Sequence, residues 1–431
     1  MQGLGNTPDA VGVRIGSNSE LSNVTIIVTG NGSKAVVANG TSGLLHDCFI
    51  RNSATQPSTN PHFAIFLDRS TNWELYRNTI IGGHSGVSAS PQGNTPYSSA
   101  HSIHHNLIFG TKRIHGFKAP HGIVLYAASD NLIFENTIIT EDARGINVQM
   151  YSDGNEIYNN LVDARYTTTV SSDTPGYAEN NIYAYWQRHG SRNYLHNNRF
   201  IASNFTTEIT ASTDCFLLGN GDDGTELLGE NRLENNTLIS FPNEIAAKYA
   251  SGISISKGSS LVSIKNNEIY SNTKAIYVED SLTTGTVILN NALFNVPSNW
   301  VAFLGSRIPF CNISGNQTVT LTAHNTTPSI PNNLMYKNRF NAIELSWSPN
   351  TEAFVRGYYV YRNGSKLKFW ITGGTYFVDL SPLTNSDSYY YITAVSFDGK
   401  ESAPSNKVYV SADSINKTPK MPQQLKVRTG N

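Results

Sequence analysis

The 431-residue sequence predicts an all-β chain in which a parallel β-helix solenoid of about eleven rungs precedes a β-sandwich. Three observations predict this architecture. A six-residue phrase recurs along the first three quarters of the chain, short β-branched runs broken by Asn, Gly, Ser and Asp separate its copies, and the composition shifts after Leu321. Self-similarity at such a period is typical of solenoids, and the absence of a helical apolar period makes the repeats strands.

The recurring phrase reads apolar-x-x-Asn-x-apolar, and successive copies lie 24 to 38 residues apart. Two earlier copies, at 21–26 and 45–50, carry Val24 and Cys48 at the Asn position. Asn suits a recurring bend because it tolerates the left-handed region and bonds locally. Stacked rungs should also let these amides bond to one another as a ladder, which Val24 and Cys48 cannot join. The nine Asn copies are Asn78, Asn106, Asn136, Asn160, Asn198, Asn236, Asn267, Asn291 and Asn316.

This phrase and its spacing resemble the right-handed parallel β-helix superfamily, which contains pectate lyases, alginate lyases and epimerases, polygalacturonases and many viral tailspikes. The resemblance covers roughly residues 8–323. It implies a right-handed solenoid that acts on or binds polysaccharides. It does not imply one activity, because that superfamily changes its chemistry by changing its loops.

Composition suits a large extracellular β protein, with 39% hydrophobic and 15% charged residues. The net charge of -1 gives no field to attract nucleic acid, and no run of apolar residues is long enough for membrane insertion. The first residues lack a signal-peptide pattern, so we expect either a leader removed beforehand or another export route such as virion assembly. We expect Cys48, Cys215 and Cys311 to be free thiols in apolar surroundings, since an odd number cannot all pair within the chain.

We expect three segments: the solenoid at 1–325, a sandwich at 326–412, and a linker with the start of a possible further module at 413–431. The stretches 343–347, 357–362 and 389–405 resemble a fibronectin type III module, with Trp347 in its core. Such modules are typically spacers or weak binders, so no chemistry is assigned to this one.

A second strand recurs between the Asn phrases, and its outward side chains are polar or aromatic. Alternation places Ile123, Ile146 and Ile182 inward. The chain between the Asn position and this strand is long in four middle rungs, 17 to 22 residues against 9 or 10 elsewhere. Long insertions on one edge of a solenoid often form its binding face.

We therefore predict a glycan-binding groove on the outer face of the solenoid, since aromatic rings pack on sugar C–H faces and amides bond to hydroxyls. The alternative is an ordinary solvated β surface. The predicted centre of the groove is Tyr126, Asn147, Gln149, Tyr183 and Tyr185. Its predicted rim is Tyr151, Trp186 and the loop 163–180.

The catalytic candidates are the titratable groups beside that groove: His121, Asp142, Arg144, Arg188 and His189. A lyase or epimerase acting on uronic acids needs a base near the C5 proton and a cation against the carboxylate, and a His and an Arg could supply them. The phrase 116–121 resembles the Asp-Pro-His segment of alginate epimerases but lacks its Asp. A hydrolase needs two carboxylates. The pair at 222–223 resembles that of polygalacturonases, but the partner motifs are missing and a Gly-rich turn explains it better.

We predict no cofactor and no metal, with Ca2+ possible, because Asp142, Asp153, Asp222 and Asp223 are scattered in sequence. Three functional classes stay open: a secreted polysaccharide lyase or glycoside hydrolase, a non-catalytic glycan-binding or adhesive cell-surface protein, and a viral tailspike. In each the expected partner is a polysaccharide, with the cell wall or cell surface as a possible location. The sequence does not fix the oligomeric state.

Overall fold

A computed structural model of the chain describes most of both predicted domains. The described residues are 10–29, 33–53, 62–90, 98–112, 121–166, 182–204, 213–219, 228–241, 251–255, 259–271, 273–278, 285–296, 298–303, 311–319, 327–339, 341–352, 354–368 and 372–415. The chain divides into two compact units, with the first passing into the second between Val319 and Thr320.

The first unit is a parallel β-helix whose rungs each contribute one strand to each of three faces, in the order face 1, face 2, face 3. Each strand pairs in parallel with its counterparts in the rungs before and after it. Among the described residues, faces 1 and 2 form one 20-stranded sheet because the strands Lys34–His46 and Phe63–Tyr76 bend from one face into the other. Face 3 is a separate sheet with 11 described strands. The predicted all-β solenoid is thereby confirmed.

The strands of face 1, besides the first halves of the two bent strands, are Val11–Ile15, Ser85–Ser90, His121–Tyr126, Arg144–Gln149, Ile182–Gln187, Thr213–Leu218, Ser251–Ile255, Lys274–Val278 and Val301–Phe303. Those of face 2, besides the second halves, are Glu20–Ser22, Ser102–His104, Leu132–Phe134, Glu156–Tyr158, Tyr194–His196, Arg232–Glu234, Ser263–Lys265, Thr286–Leu289 and Cys311–Ser314. Those of face 3 are Thr25–Val28, Phe49–Asn52, Thr79–Gly82, Leu107–Lys112, Thr137–Glu141, Leu161–Tyr166, Arg199–Asn204, Thr237–Phe241, Glu268–Ser271, Ala292–Phe294 and Gln317–Val319. A small parallel pair, Leu228–Gly229 with Ser259–Ser260, lies outside these faces.

The Asn ladder is present at the corner between faces 2 and 3. Asn160 shows the pattern: its Nδ2 donates to Oδ1 of Asn198 at 3.0 Å, and its own Oδ1 accepts from the backbone N–H of Asn136 at 3.0 Å. Cys48 joins through its backbone only, donating its N–H to Asn78 Oδ1 at 3.1 Å. The left-handed residue is not the ladder Asn but the one before it, as at Asn159 with φ 54°. The expectation that the ladder Asn itself takes that conformation is therefore wrong.

A second Asn ladder, not predicted from the sequence, lies five residues upstream at the corner between faces 1 and 2. Asn131 Nδ2 donates to Asn155 Oδ1 at 2.8 Å, and Asn155 Nδ2 donates to Asn193 Oδ1 at 2.9 Å. The backbone N–H of Asn193 continues the series to Asn231 Oδ1 at 3.0 Å. Buried amides paired in this way hold two of the three corners in register.

The interior of the solenoid is a continuous stack of aliphatic and aromatic side chains. Cys48 and Cys215 lie in it as free thiols, as predicted, whereas the free Cys311 is only half-buried. Burial raises the pKa of Cys48 to about 11 and that of Cys215 further. The described part of the chain contains no helix long and apolar enough to cross a membrane.

The second unit consists of two antiparallel sheets, as predicted for the sandwich. Trp347 is buried and meets Tyr358 edge to face at a centroid distance of 5.3 Å. The identification of the second unit as a fibronectin type III module stays a prediction. One sheet contains Met335–Arg339, Ala342–Ser346 and Tyr376–Asp379, the other contains Ser365–Lys366, Val355–Arg362, Ser388–Ser396 and Val408–Val410, and a short helix follows at Ala412–Ile415.

Candidate functional site

The candidate site lies on the outer side of face 1, where the paired strands His121–Tyr126 and Arg144–Gln149 define six aligned positions that continue into residues 183–188 of the next rung. The first, fourth and sixth side chains point outward, and the second, third and fifth point inward. The second position is small because space there is closed: a Cβ on Gly122 would lie 2.3 Å from Ile138 Cγ2, and one on Gly145 would lie 2.1 Å from Val162 Cγ1. The first position is therefore an additional outward column, which simple alternation does not predict.

The strand Ile182–Gln187 corrects one predicted groove residue. Tyr185 pairs with Ile146, so its ring lies in the core, fully buried and stacked on Phe216 at 4.8 Å. The prediction that Tyr185 faces the groove is wrong, because two successive inward residues, Ala184 and Tyr185, break the alternation counted from Ile182. Burial raises the pKa of Tyr185 well above its ordinary value.

Trp186, predicted at the rim, instead lies in the central outward column beside Asn147. It belongs to a cluster of three side chains, Arg144, Tyr183 and Trp186, called here the arginine–aromatic cluster. The guanidinium carbon of Arg144 lies 3.8 Å from the Trp186 ring centroid and 5.5 Å from that of Tyr183. The two rings lie 6.1 Å apart, 27° from parallel. Arg144 is buried, and cation–π attraction is strongest at such desolvated sites.

His121 and Asn147 lie directly beside this cluster. His121 pairs with Arg144 across neighbouring strands, and its Nε2 lies 2.6 Å from Asn147 Nδ2. Burial, then the charge of Arg144 and the neighbouring His84, lowers the pKa of His121 well below its ordinary value. The imidazole is therefore neutral at neutral pH, and its Nε2 can accept a hydrogen bond from the side-chain amide N–H of Asn147. Asn147 is 0% exposed, and its Oδ1 has no hydrogen-bond partner in the part of the chain that the structure describes.

The accessible edge of the site comprises Tyr126, Gln149, Trp186 and Arg188. Tyr126 is 36% exposed and pairs with Gln149 in the next strand, and the other side chains are half-buried. The Arg188 backbone N–H donates to Val148 O at 2.8 Å, which keeps this residue against the same rung. Solvent therefore reaches the indole of Trp186 at the fourth position. At the sixth position it reaches the phenol ring of Tyr126, the amide of Gln149 and the guanidinium of Arg188.

The remaining predicted residues lie around this centre. Tyr151, 57% exposed, and the buried His189 form a ring pair at 6.4 Å. Asp142 occupies the bend from face 3 into face 1 with φ 54°, and its backbone N–H donates to Arg165 O at 2.6 Å. The predicted residues thus divide into a central group, a ring pair and a residue at the bend.

Two further carboxylates have bonding partners, one on face 1 and one on face 3. Asp214 takes the first position next to Tyr183 and accepts from the backbone N–H and hydroxyl of Ser251 at 2.8 and 2.6 Å. Asp163 begins the predicted rim loop 163–180, but residues 163–166 belong to the face 3 strand Leu161–Tyr166, so that part of the prediction is wrong. Asp163 pairs there with the buried Arg165, whose Nε donates at 3.1 Å. The occurrence of Asp214 at the first position could have been found by aligning it with His121 and Arg144.

Several predicted features fall outside the described residues: the phrase 116–120, most of the rim loop at 167–180 and the carboxylate pair at 222–223. Within the described ranges, no group of three or more His, Cys, Asp or Glu residues could hold a metal ion. Metal independence stays a prediction.

The family described as "Right handed beta helix region" matches residues 4–162. The match agrees with the parallel three-face topology, and the first unit is a right-handed parallel β-helix. No curated protein matches the chain.

Among solved structures, the chain is similar to an Fn3-like protein from Clostridium thermocellum, with 23% identity, TM-score 0.17, and 20% of this chain and 92% of that one covered. It is also similar to a double mutant of the periplasmic alginate epimerase AlgG, with 12% identity, TM-score 0.43, and 72% and 78% covered. A third is an alginate lyase from Paenibacillus sp. str. FPU-7, with 11% identity, TM-score 0.36, and 68% and 95% covered.

Proposed function

We propose that the chain is an extracellular protein that binds an acidic polysaccharide on face 1, at the edge formed by Tyr126, Gln149 and Trp186. The observation that carries this proposal is the arginine–aromatic cluster. Arg144 lies 3.8 Å from the Trp186 ring centroid. A fixed cation behind an accessible indole provides a ring face for the sugar and a positive potential for its carboxylate.

The accessible polar groups fit the same ligand. Gln149 offers both donors and an acceptor to sugar hydroxyls, and Arg188 offers a planar fork suited to a carboxylate. Tyr126 and Gln149 occupy the same column of neighbouring strands, so a polymer can contact both while it lies across the rungs. Binding sites of this kind need only a few well-placed polar groups beside aromatic surface.

The chemistry that best fits the site is proton abstraction from a uronic acid, as in an eliminating lyase or an epimerase. In elimination a base removes the C5 proton, the C4–C5 double bond forms, the C4–O bond breaks, and the leaving oxygen takes a proton. His121 is a neutral imidazole in the field of Arg144, which supports the roles of base and carboxylate neutraliser. Hydrolysis needs two available carboxylates across the scissile bond. Two of the described carboxylates, Asp163 and Asp214, are already bonded to Arg165 and Ser251.

A non-catalytic glycan-binding role is the second candidate, and the burial of the centre favours it. Asn147 is fully buried and His121 nearly so, which keeps both from a glycan that rests on Trp186. The two candidates share the binding edge and differ only in whether the buried pair reaches the sugar.

Binding is tested with Trp186→Ala and a matched control, Leu217→Ala, which changes the same outward column one rung further on. Electrophoresis in gels containing polygalacturonate, alginate or neutral dextran reports the affinity. The wild type and Leu217→Ala should be retarded by the acidic polymers, and Trp186→Ala should lose roughly tenfold in affinity. Equal retardation of Trp186→Ala and the wild type would refute the binding edge.

Catalysis is tested on the polymers that bind. Ultraviolet absorbance of unsaturated uronates detects elimination, loss of the C5 proton to deuterated water detects epimerisation, and new reducing ends without unsaturation detect hydrolysis. We expect an eliminated or epimerised product that His121→Gln abolishes while binding persists. Binding with no product in any assay would establish the non-catalytic role.

A further inference from the structure

The second unit has a row of tyrosines on the outer side of its four-stranded sheet. In the strand Val355–Arg362, Tyr358 and Val360 are buried, so Tyr359 and Tyr361 point outward. In the strand Ser388–Ser396 the buried Tyr390 likewise leaves its neighbours outward. We call this row the tyrosine strip: Tyr359, Tyr361, Tyr389, Tyr391 and Tyr409.

The rings of the tyrosine strip follow one another across three strands. Tyr361 and Tyr391 are cross-strand partners with ring centroids 4.6 Å apart, Tyr389 lies 6.4 Å from Tyr391, and Tyr409 lies 6.0 Å from Tyr389. Cross-strand aromatic pairs stabilise a sheet, which accounts for the packed rings at the centre. It does not account for Tyr409, which is 69% exposed on the last strand. A large exposed ring that continues an aromatic row is typical of a contact surface.

Cations lie on this strip. Lys366 Nζ is 3.5 Å from the ring centroid of Tyr359, and Lys407 Nζ is 4.5 Å from that of Tyr389. Among the described residues a carboxylate also lies on the strip: Glu401 accepts from the Tyr361 hydroxyl, from Thr393 at 2.7 Å and from Lys366 at 3.1 Å. Lys407 is exposed and forms no ion pair with the described residues. Among the described residues, Lys407 thus places a positive charge without an ion pair over Tyr389, whose ring neighbours that of the exposed Tyr409.

We propose that the tyrosine strip is a second binding surface for an acidic polysaccharide, separate from face 1. Phenol rings offer flat surface and hydroxyls to sugar rings at low entropic cost, and Lys407 complements a carboxylate. The polymer is the acidic class proposed for face 1, but the strip does not depend on that site.

The test uses the full chain, with Tyr409→Ala and Tyr389→Ala as strip variants and Tyr336→Ala as the matched control. Tyr336 is also solvent-exposed, 40%, but lies on the other sheet. Each change is made in the wild type and in Trp186→Ala, and gels containing polygalacturonate, alginate or dextran report affinity. In the Trp186→Ala background we expect residual retardation by the acidic polymers that falls roughly fivefold or more with either strip variant and persists with Tyr336→Ala.

Unchanged retardation of both strip variants would overturn the proposal, and so would an equal loss in Tyr336→Ala. The proposal would also be overturned if the strip variants lost self-association or protein binding while their retardation by the acidic polymers stayed intact. The experiment can refute the face 1 proposal and the tyrosine-strip proposal independently of each other. If Trp186→Ala binds like the wild type while Tyr409→Ala does not, the face 1 proposal fails and the strip stands.

Discussion

Replacing one ladder amide, Asn160→Ala, should destabilise the solenoid strongly because its partners are buried. The Asn160 Oδ1 accepts the backbone N–H of Asn136 at 3.0 Å, and its Nδ2 donates to Ile133 O at 2.8 Å and Asn198 Oδ1 at 3.0 Å. The substitution leaves the Asn136 N–H with no acceptor, removes one acceptor from Asn136 Nδ2, and leaves the oxygens of Ile133, Tyr158 and Asn198 each one donor short. A buried polar group without its partner costs about 1–3 kcal/mol, and the oxygens cost less because each can keep another donor. We expect a loss of about 2–5 kcal/mol in the free energy of unfolding.

Asn316→Ala is the matched control, because Asn316 makes two of these bonds, the one to the preceding ladder N–H and the one to a carbonyl, at the half-exposed end of the ladder. It accepts the Asn291 N–H at 2.9 Å and donates to Ile288 O at 2.8 Å. Water can replace these bonds, so we expect a loss of about 1 kcal/mol or less. Urea denaturation followed by circular dichroism, with equal slopes required, measures both. Equal losses, or a loss below about 1 kcal/mol for Asn160→Ala, would refute the buried-ladder argument.

Three further outcomes are expected. Gly145→Ala should lower the free energy of unfolding by about 1–3 kcal/mol or more, because the added Cβ would meet Val162. Gly16→Ala, which has open space around it, should leave that free energy nearly unchanged, and urea denaturation measures both. Similar losses in the two variants would contradict the closed second position. Burial lowers the pKa of His101 to about 4 and of His121 well below its ordinary value, so the unfolded chain protonates first. Unfolding measured against pH should therefore show stability falling as pH drops from about 6.5 towards 4, by on the order of 3 kcal/mol from His101 alone, and a flat profile there would refute it. A chelator should leave both the unfolding midpoint and gel retardation unchanged, and restoration of a lost activity by Ca2+ would show a metal site.

The solenoid could be predicted because its signal repeats. Each ladder Asn recurs at the same place in an apolar frame, so errors in single rungs do not change the architecture. The second ladder carried a signal of the same kind, an Asn five residues upstream as at Asn131 and Asn155, but its frame has fewer apolar residues. The position of the left-handed residue could not be read from the phrase, because Arg77, His105 and Glu135 take it as well as Asn.

The candidate site was harder to predict because it depends on single side chains. One additional inward residue moved Tyr185 into the core and brought Trp186 to the centre. The contact between Arg144 and Trp186 depends on how their two strands align, and a rung with a 38-residue spacing, from Asn160 to Asn198, separates the ladder positions there. No local sequence feature sets that alignment. The burial of Asn147 is a tertiary property that alternation alone does not predict.

The most direct test of the account compares the affinity of the wild type and Arg144→Gln for polygalacturonate and for the same polymer with its carboxylates reduced to alcohols. We expect the wild type to prefer the acidic polymer by roughly tenfold, and Arg144→Gln to lose most of this preference while its circular dichroism spectrum stays that of the folded wild type. Equal affinity of the wild type for both polymers, or an unchanged preference in Arg144→Gln, would contradict it.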